Sequence, residues 1–190
     1  MLFHLLLLFK HMATSAPAPA GNRLLFRFLL VAVAMYLVWF FGYEQWLALD
    51  GRFDAALCHN IACSSVAALR ALGFPAAVDA HTPTLVLMAG VPAVIVGVPC
   101  NGLVLYALFS GFVLAFPGPW ARKAWFIPAG IALIWGLNLL RVAALAINHH
   151  YSHRTVDFNH HYTFTFVVYA CIFGLWMLWA QRIATPARVA

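Results

Sequence analysis

Charged side chains are scarce in this chain, and their scarcity argues against a soluble fold. Asp, Glu, Lys and Arg make up 8% of its 190 residues, whereas hydrophobic residues make up 65%. Ordinary soluble domains carry about 25% charged residues, because a water-facing surface needs them. The apolar residues also occur in long runs, as a lipid bilayer requires. The composition therefore predicts an integral membrane protein of several transmembrane helices in one small domain.

Acidic residues are rarer than basic residues: the chain has 5 acidic and 11 basic residues, and its net charge is +6. The basic residues lie near the ends of apolar runs, which is typical of cytoplasmic loops. A nucleic-acid-binding protein would instead need a dense basic face with interleaved aromatic residues, and the sequence has none. The expected partner is the lipid bilayer, with no nucleic acid.

The sequence has few cysteines and no CxxC pair, which excludes a thioredoxin-like redox motif and a zinc ribbon. Cys171 lies within an apolar run and is most simply a small hydrophobic residue. Cys58 and Cys63 could pair in an oxidising compartment, and the sequence leaves their redox state open. The fourth cysteine, Cys100, lies at the start of an apolar run, just before Asn101 and Gly102.

Four apolar runs predict about four transmembrane helices. They cover residues 24–43, 103–116, 125–147 and 162–180. Basic residues precede the first run, separate the second from the third and follow the fourth. The positive-inside rule therefore places both termini in the cytoplasm and residues 44–100 and 149–161 outside. We expect a multi-pass protein of the cytoplasmic (inner) membrane.

Between the first two runs, residues 55–72 show helical spacing of apolar residues but are too polar for a confident span. This pattern favours a helix that lies at the membrane interface or packs on the bundle. Residues 84–88 and 93–98 are short β-branched segments around Gly90, Val91 and Pro92, which predicts a short β-hairpin. The expected fold is thus an all-α polytopic membrane protein with an interfacial helix and a small hairpin on the outer face.

The predicted membrane domain covers residues 23–182, with a cytoplasmic tail at 183–190. Residues 1–22 form an N-terminal leader or linker, with a short apolar run followed by an Ala/Pro-rich stretch. This stretch could be a signal peptide, but Lys10 follows the apolar run instead of preceding it, which is wrong for a signal. The alternative is an upstream start, with Met12 as the true beginning, and the sequence leaves open whether residues 1–11 are native.

Arg141 is the most informative polar residue, because it interrupts the third apolar run. An Arg in the membrane costs at least about 2.5 kcal/mol, so it normally faces a partner or a watery cavity. The alternative is an Arg that extends to the lipid headgroups from near the end of its helix. Asn138 lies three residues earlier and hence on the same helical face. With the helix ending near residue 147, Arg141 lies about 9 Å below its outer end.

A thiol and two imidazoles reach the same side of the membrane as Arg141. Cys100 begins the second span, where a predicted helix N-terminus favours the thiolate. His160 and His161 begin the fourth span. A histidine can take the thiol proton and later protonate a leaving amine, and an Arg can stabilise an oxyanion. These residue types together are suited to nucleophilic attack on an amide.

The loop between the third and fourth spans is rich in histidine and suggests an alternative. Imidazoles near a carboxylate can bind zinc or copper. An alternative function is therefore a non-enzymatic metal-binding or transport subunit that uses this outer loop. The sequence contains no HExxH motif, and polar groups gather at one membrane face, whereas a transporter would need them through the membrane depth. The histidines and carboxylate in question are His149, His150, His153, His160, His161 and Asp157.

Three motifs in this order resemble the exosortase/archaeosortase family. They are Pro99-Cys100-Asn101-Gly102, then Asn138-Leu139-Leu140-Arg141, then His160 before a final apolar helix. Members of that family are polytopic membrane enzymes with a Cys, Arg and His signature in this order. The resemblance covers about residues 91–180. The chain is short for the family and resembles its compact members. One departure is the Asn159-His160-His161-Tyr162 segment, which offers two candidate histidines.

The resemblance implies a membrane cysteine protease/transpeptidase. Its substrates would be exported proteins with a C-terminal sorting signal, which consists of a short motif, a transmembrane helix and a basic tail. Cys100 would be the nucleophile, Arg141 the oxyanion or substrate clamp, and His160 the general acid/base, with His161 as the alternative. Supporting residues would be Asn101, Gly102 and Asn138. No cofactor and no metal is expected.

Overall fold

The computed structural model describes residues 19–151 and 164–184. Helix α1 spans Pro19–Val38 and continues as a π-helical stretch at Trp39–Leu47 and a last turn at Ala48–Asp50. It begins inside the predicted linker and extends beyond the predicted end at residue 43. Most of its large apolar side chains are exposed, as expected of a helix that faces lipid. They include Leu29, Leu30, Val33, Leu37, Val38 and Phe41.

Three further helices complete the apolar bundle. Helix α3 spans Leu103–Ala115, α4 spans Trp120–Tyr151, and α5 spans Phe164–Leu178 with a π-helical end at Trp179–Ile183. Within the described residues, α1, α4 and α5 are long and apolar enough to cross a membrane. Helix α3 has 13 residues, hence a length of about 20 Å against about 30 Å of hydrocarbon. The predicted all-α polytopic fold is confirmed, with α3 as the short member of the bundle.

Aromatic and small side chains hold these helices together. Phe109 of α3 lies against Gly130 of α4 so closely that a Cβ on Gly130 would overlap its ring. Phe126 of α4 packs on Trp179 with ring centroids 5.1 Å apart. Met35 of α1 reaches Gly111 of α3. Small residues allow such close approach between helix backbones, which matters in lipid because helix association there depends on packing.

Arg122 and Lys123, the basic residues between the second and third predicted runs, were expected in a loop but belong to the first turns of α4. Their cytoplasmic location stays a prediction. Lys123 is buried, and its Nζ donates hydrogen bonds of 2.8 Å to the carbonyls of Leu114 and Phe116. The last carbonyls of a helix lack intrahelical partners, so this amine caps the C-terminus of α3. Arg122 donates to the Ile183 carbonyl at 2.6 Å. Both cations therefore lie at the end of the bundle where α3 ends.

A second layer covers the opposite end of the bundle. Helix α2 spans Arg52–Ala71, and the strands β1 (Ala76–Val78), β2 (Leu85–Met88) and β3 (Val91–Ile95) form an antiparallel sheet in that order. The apolar face of α2 packs on the sheet and on the outer part of α4. We call this layer the outer layer and its core the outer core, because the sequence predicts that they face outside. The outer core includes Ile61, Ala62, Leu69, Val86, Met88, Val142, Ala143 and Ala146. The predicted helix at 55–72 therefore packs on the bundle, which was one of the two expected placements.

The predicted hairpin is confirmed as β2 and β3, but its turn is displaced. Ala89 and Gly90 make the turn, both with positive φ, whereas Val91 and Pro92 belong to β3. Pro92 is tolerated because β3 lies at the edge of the sheet. Strand β1 was not predicted, since three residues are too few to show an alternating pattern.

Candidate functional site

Cys100 lies in a short 3₁₀ turn at the junction of the two layers. The turn spans Val98–Cys100, and the Cys100 N–H donates to the Gly97 carbonyl at 2.8 Å. Cys100 was predicted at the N-terminus of the second span. In the structure, Asn101 and Gly102 separate it from the first residue of α3. The Cys100 side chain is half-buried against the outer core. The backbone of the turn, and not the start of α3, thus sets the position of the thiol.

Asn138 fixes this turn from α4. Its side chain is only 2% exposed, and its Nδ2 donates to the Cys100 carbonyl oxygen at 2.6 Å. Asn138 is therefore in direct contact with the candidate nucleophile's own backbone, although 38 residues separate them. A single hydrogen bond of this kind ties the 3₁₀ turn to the bundle.

Arg141 lies one helical turn beyond Asn138, on the same face of α4 and about 4.5 Å further along the axis. It is half-buried. Helix α4 continues to Tyr151 and not to the predicted end near residue 147, so Arg141 lies about 15 Å from the helix end. Val142 and Ala146, which follow Arg141 on α4, pack in the outer core. Arg141 therefore lies on the same face of α4 as Asn138, whose side chain contacts the Cys100 carbonyl.

Asn101 anchors the other side of the turn. Its side chain is 2% exposed, its Oδ1 accepts the Leu103 N–H at 2.9 Å, and its Nδ2 donates to Asp54 Oδ1 at 2.6 Å. Asp54, in the first turn of α2, is 3% exposed and also accepts the Tyr43 hydroxyl at 3.1 and 3.0 Å through its two oxygens. Residues from α1, α2 and the turn thus meet around one buried carboxyl group.

Gly102 completes the turn with φ +83°, a backbone conformation that glycine adopts without strain. A Cβ at this position would also lie 2.7 Å from the Tyr106 hydroxyl. Both the conformation and the close approach therefore require glycine here. The resemblance suggested a supporting role for Gly102, and these two constraints give a physical reason for a glycine at this position.

The remaining cysteines are placed differently. Cys58 and Cys63 are free thiols on α2, the first buried and the second exposed. Burial, followed by the nearby Asp54 and Cys100, raises the pKa of the Cys58 thiol. Since the thiolate is the reactive form, Cys58 is poorly suited to nucleophilic attack. Cys171 lies in α5, away from the outer layer.

The candidate histidines lie mostly outside the described part of the chain. His160 and His161 fall within 152–163, as do His153 and Asp157, so their positions are not described. His149 and His150 lie in the last turn of α4. Among residues 19–151 and 164–184, no group of three or more His, Cys, Asp or Glu side chains could hold a metal ion.

Sequence reasoning missed Asp54 and Tyr43. Asp54 lies just before the predicted helix at 55–72, and Tyr43 is the last residue of the predicted first span. Neither forms part of a local pattern that indicates a site, because their partners are distant along the chain: Asp54 and Asn101 are 47 residues apart. The only available signal was an acidic residue in a chain that has so few.

An apolar bundle with buried polar side chains at one end, beneath a helix-and-sheet layer, defines a polytopic membrane protein with a candidate site at that end. The sequence model of the family described as transmembrane exosortase matches residues 1–179, and the chain belongs to that family. It is therefore a membrane protein involved in the processing of sorting signals on exported proteins. No curated protein and no solved structure matches the chain.

Proposed function

We propose that this chain is a cysteine peptidase/transpeptidase that cleaves the C-terminal sorting signal of exported proteins. The observation that carries the proposal is the hydrogen bond from Asn138 to the Cys100 carbonyl. It joins the turn that bears the thiol to the helical face that bears Arg141. A thiol on a turn that is tied to the helical face bearing Arg141 is suited to attack on a substrate peptide bond near the membrane surface.

In the proposed reaction, His160 takes the proton of the Cys100 thiol, and the thiolate attacks the scissile carbonyl carbon. Arg141 stabilises the oxyanion that forms, because its planar donors and charge complement the developing negative charge. When the C–N bond breaks, His160 donates the proton to the leaving amine, which leaves a thioester on Cys100. An amine or hydroxyl acceptor, or water, then attacks the thioester and releases the thiol. His161 is the alternative acid/base.

The substrate class follows from the proposed location of the site. A short recognition motif would reach Cys100 at the outer surface, while the signal's transmembrane helix lies in the bilayer beside the bundle. The signal's basic tail would then remain in the cytoplasm, in accordance with the positive-inside rule. This arrangement requires that the outer layer of the protein faces the periplasmic side of the cytoplasmic membrane.

The orientation gives a testable prediction. Native Cys63, which is exposed on α2, is expected to react with a membrane-impermeant maleimide on intact cells. A cysteine introduced at Trp120, which is 70% exposed at the opposite end of the bundle, is expected to react only after the membrane is opened. Trp120 is a better reporter than its neighbour Lys123, which is buried. Labelling of position 120 from outside would contradict the proposed topology.

The histidine assignment gives a second prediction and tests the function directly. The full chain would be produced with a reporter protein that ends in a sorting signal encoded beside it, and cleavage would be followed by the reporter's size. His160→Ala is expected to abolish cleavage, whereas His149→Ala, its matched control in the last turn of α4, should leave cleavage within about twofold of wild type. Equal loss with both substitutions would instead favour a metal site. No cleavage by the wild-type chain would refute the function.

A further inference from the structure

Asp54 is a buried acidic residue whose partners do not include a cation among the described residues. Its two oxygens accept hydrogen bonds from Asn101 Nδ2 and from the Tyr43 hydroxyl. The structure shows one salt bridge in the described part of the chain, between Arg52 and the exposed Asp50. A buried carboxyl group without a cation is costly, and an apolar residue of similar shape would often stabilise the fold as well. Asp54 is therefore better explained by what it orients than by stability.

The hydrogen bonds to Asp54 determine how the Asn101 side chain is oriented. An asparagine amide can in general be turned either way, because its oxygen and nitrogen are alike in shape. Here Nδ2 donates to Asp54 Oδ1, so the Asn101 Oδ1 is directed at the Leu103 N–H, which it accepts at 2.9 Å. The same side chain thus caps the start of α3 and ties the residue after Cys100 to α2.

Cys100 is consequently held on both sides by different elements. Asn138 of α4 holds its carbonyl, and Asp54 of α2 holds the following residue through Asn101. Tyr43, at the outer end of α1, fixes the Asp54 carboxyl group in turn. We infer that Asp54 is a positioning residue for the thiol of Cys100: it acts through Asn101 and sets where the Sγ atom lies. The effect of Asp54 on catalysis rests on the proposed function. Its effect on the position of the Cys100 thiol does not.

The test uses the reactivity of the thiol and therefore needs no substrate. Purified full-length protein in detergent would be treated with iodoacetamide, and each cysteine followed by mass spectrometry. Exposed Cys63 serves as the reference for the reagent, and buried Cys58 reports loss of the fold. Asp54→Ala and Asn101→Ala are each expected to raise the alkylation rate of half-buried Cys100 at least about threefold, because the turn loosens locally. Cys58 should stay at least about tenfold slower than Cys63.

Two further comparisons separate positioning through Asn101 from a general structural effect. The double variant Asp54→Ala with Asn101→Ala should react no faster than either single variant, since two residues that act as a unit are not additive. Asn101→Asp alone places two carboxyl groups against each other and should disturb Cys100. Asn101→Asp combined with Asp54→Asn restores one donor against one carboxylate and should return the rate to within about twofold of wild type. Asp50→Asn, on an exposed carboxylate, is the control and should have no effect.

Where the wild type cleaves the reporter, Asp54→Asn is expected to lower kcat about tenfold or more with KM nearly unchanged, as for a misplaced reacting group. Unchanged alkylation of Cys100 in Asp54→Ala, additive effects, or no rescue by the exchanged pair would overturn the inference. If Asp54→Ala does not accumulate, the double variant Asn101→Asp with Asp54→Asn still tests the inference. If the wild type cleaves nothing, the proposed function fails, and the alkylation rates alone decide the role of Asp54.

Discussion

Replacement of Cys100 by alanine is expected to abolish substrate processing, with a loss of about a thousandfold or more, while the protein still inserts and accumulates. The side chain is half-buried, and alanine removes only the sulfur, so little packing is lost. The backbone hydrogen bonds of the turn, to Gly97 and from Asn138, do not involve the thiol. The proposed chemistry, in contrast, depends wholly on the sulfur, because it carries the acyl group.

Cys58→Ala is the matched control for this prediction. Cys58 lies in the neighbouring helix, close to the same turn, but its burial raises its thiol pKa and keeps it from the surface. The substitution should leave processing within about twofold of wild type, apart from a modest loss of stability from the smaller core residue. Immunoblots of membrane fractions would measure accumulation, and the size of the reporter would measure processing. Normal processing by Cys100→Ala, with Cys58→Ala inactive, would move the active site into α2.

Arg141→Lys should lower processing on the order of a hundredfold although it keeps the positive charge. Lys offers a point charge on a flexible stem, whereas Arg presents a planar fork of donors that can bind an oxyanion at two points. Arg141 is half-buried, so a lysine there would also lose packing that the larger guanidinium group makes. The measurement is the rate of reporter cleavage at matched protein levels.

Arg70→Lys provides the control, because Arg70 lies in the outer layer and its Nε donates to the Ala76 carbonyl at 2.7 Å. That substitution tests the general cost of replacing Arg by Lys in this protein and should change processing by less than about threefold. If Arg141→Lys processes the reporter as well as Arg70→Lys does, a role for the guanidinium in stabilising the oxyanion is excluded.

The membrane class and the arrangement of elements could be predicted from sequence, because long apolar runs and their flanking charges are local signals. Helix α2 and the hairpin were predicted for the same reason. The boundaries were not, since packing decides them. Lys123 was expected in a loop, yet its amine reaches two carbonyls of α3 and is buried. Helix α4 therefore begins earlier than its charge pattern suggested.

The candidate site could be predicted only in part. The order of Cys100, Asn138 and Arg141 predicted a shared site, and in the structure Asn138 contacts the Cys100 backbone. The catalytic roles stay predictions, and His160 lies outside the described residues. The role inferred for Asp54 could not be predicted from sequence. It depends on contacts between segments that are far apart in the chain, and no local periodicity indicates such contacts.

Direct detection of the acyl-enzyme tests the central claim most closely. Full-length protein in membranes would be mixed with the reporter, quenched in acid within the first turnover and digested for mass spectrometry. We predict that the Cys100 peptide carries the carboxyl end of the cleaved reporter as a thioester, and that hydroxylamine at neutral pH removes it. Cleavage that proceeds with no thioester on Cys100, or with the acyl group on Cys58 or Cys63, would contradict this account.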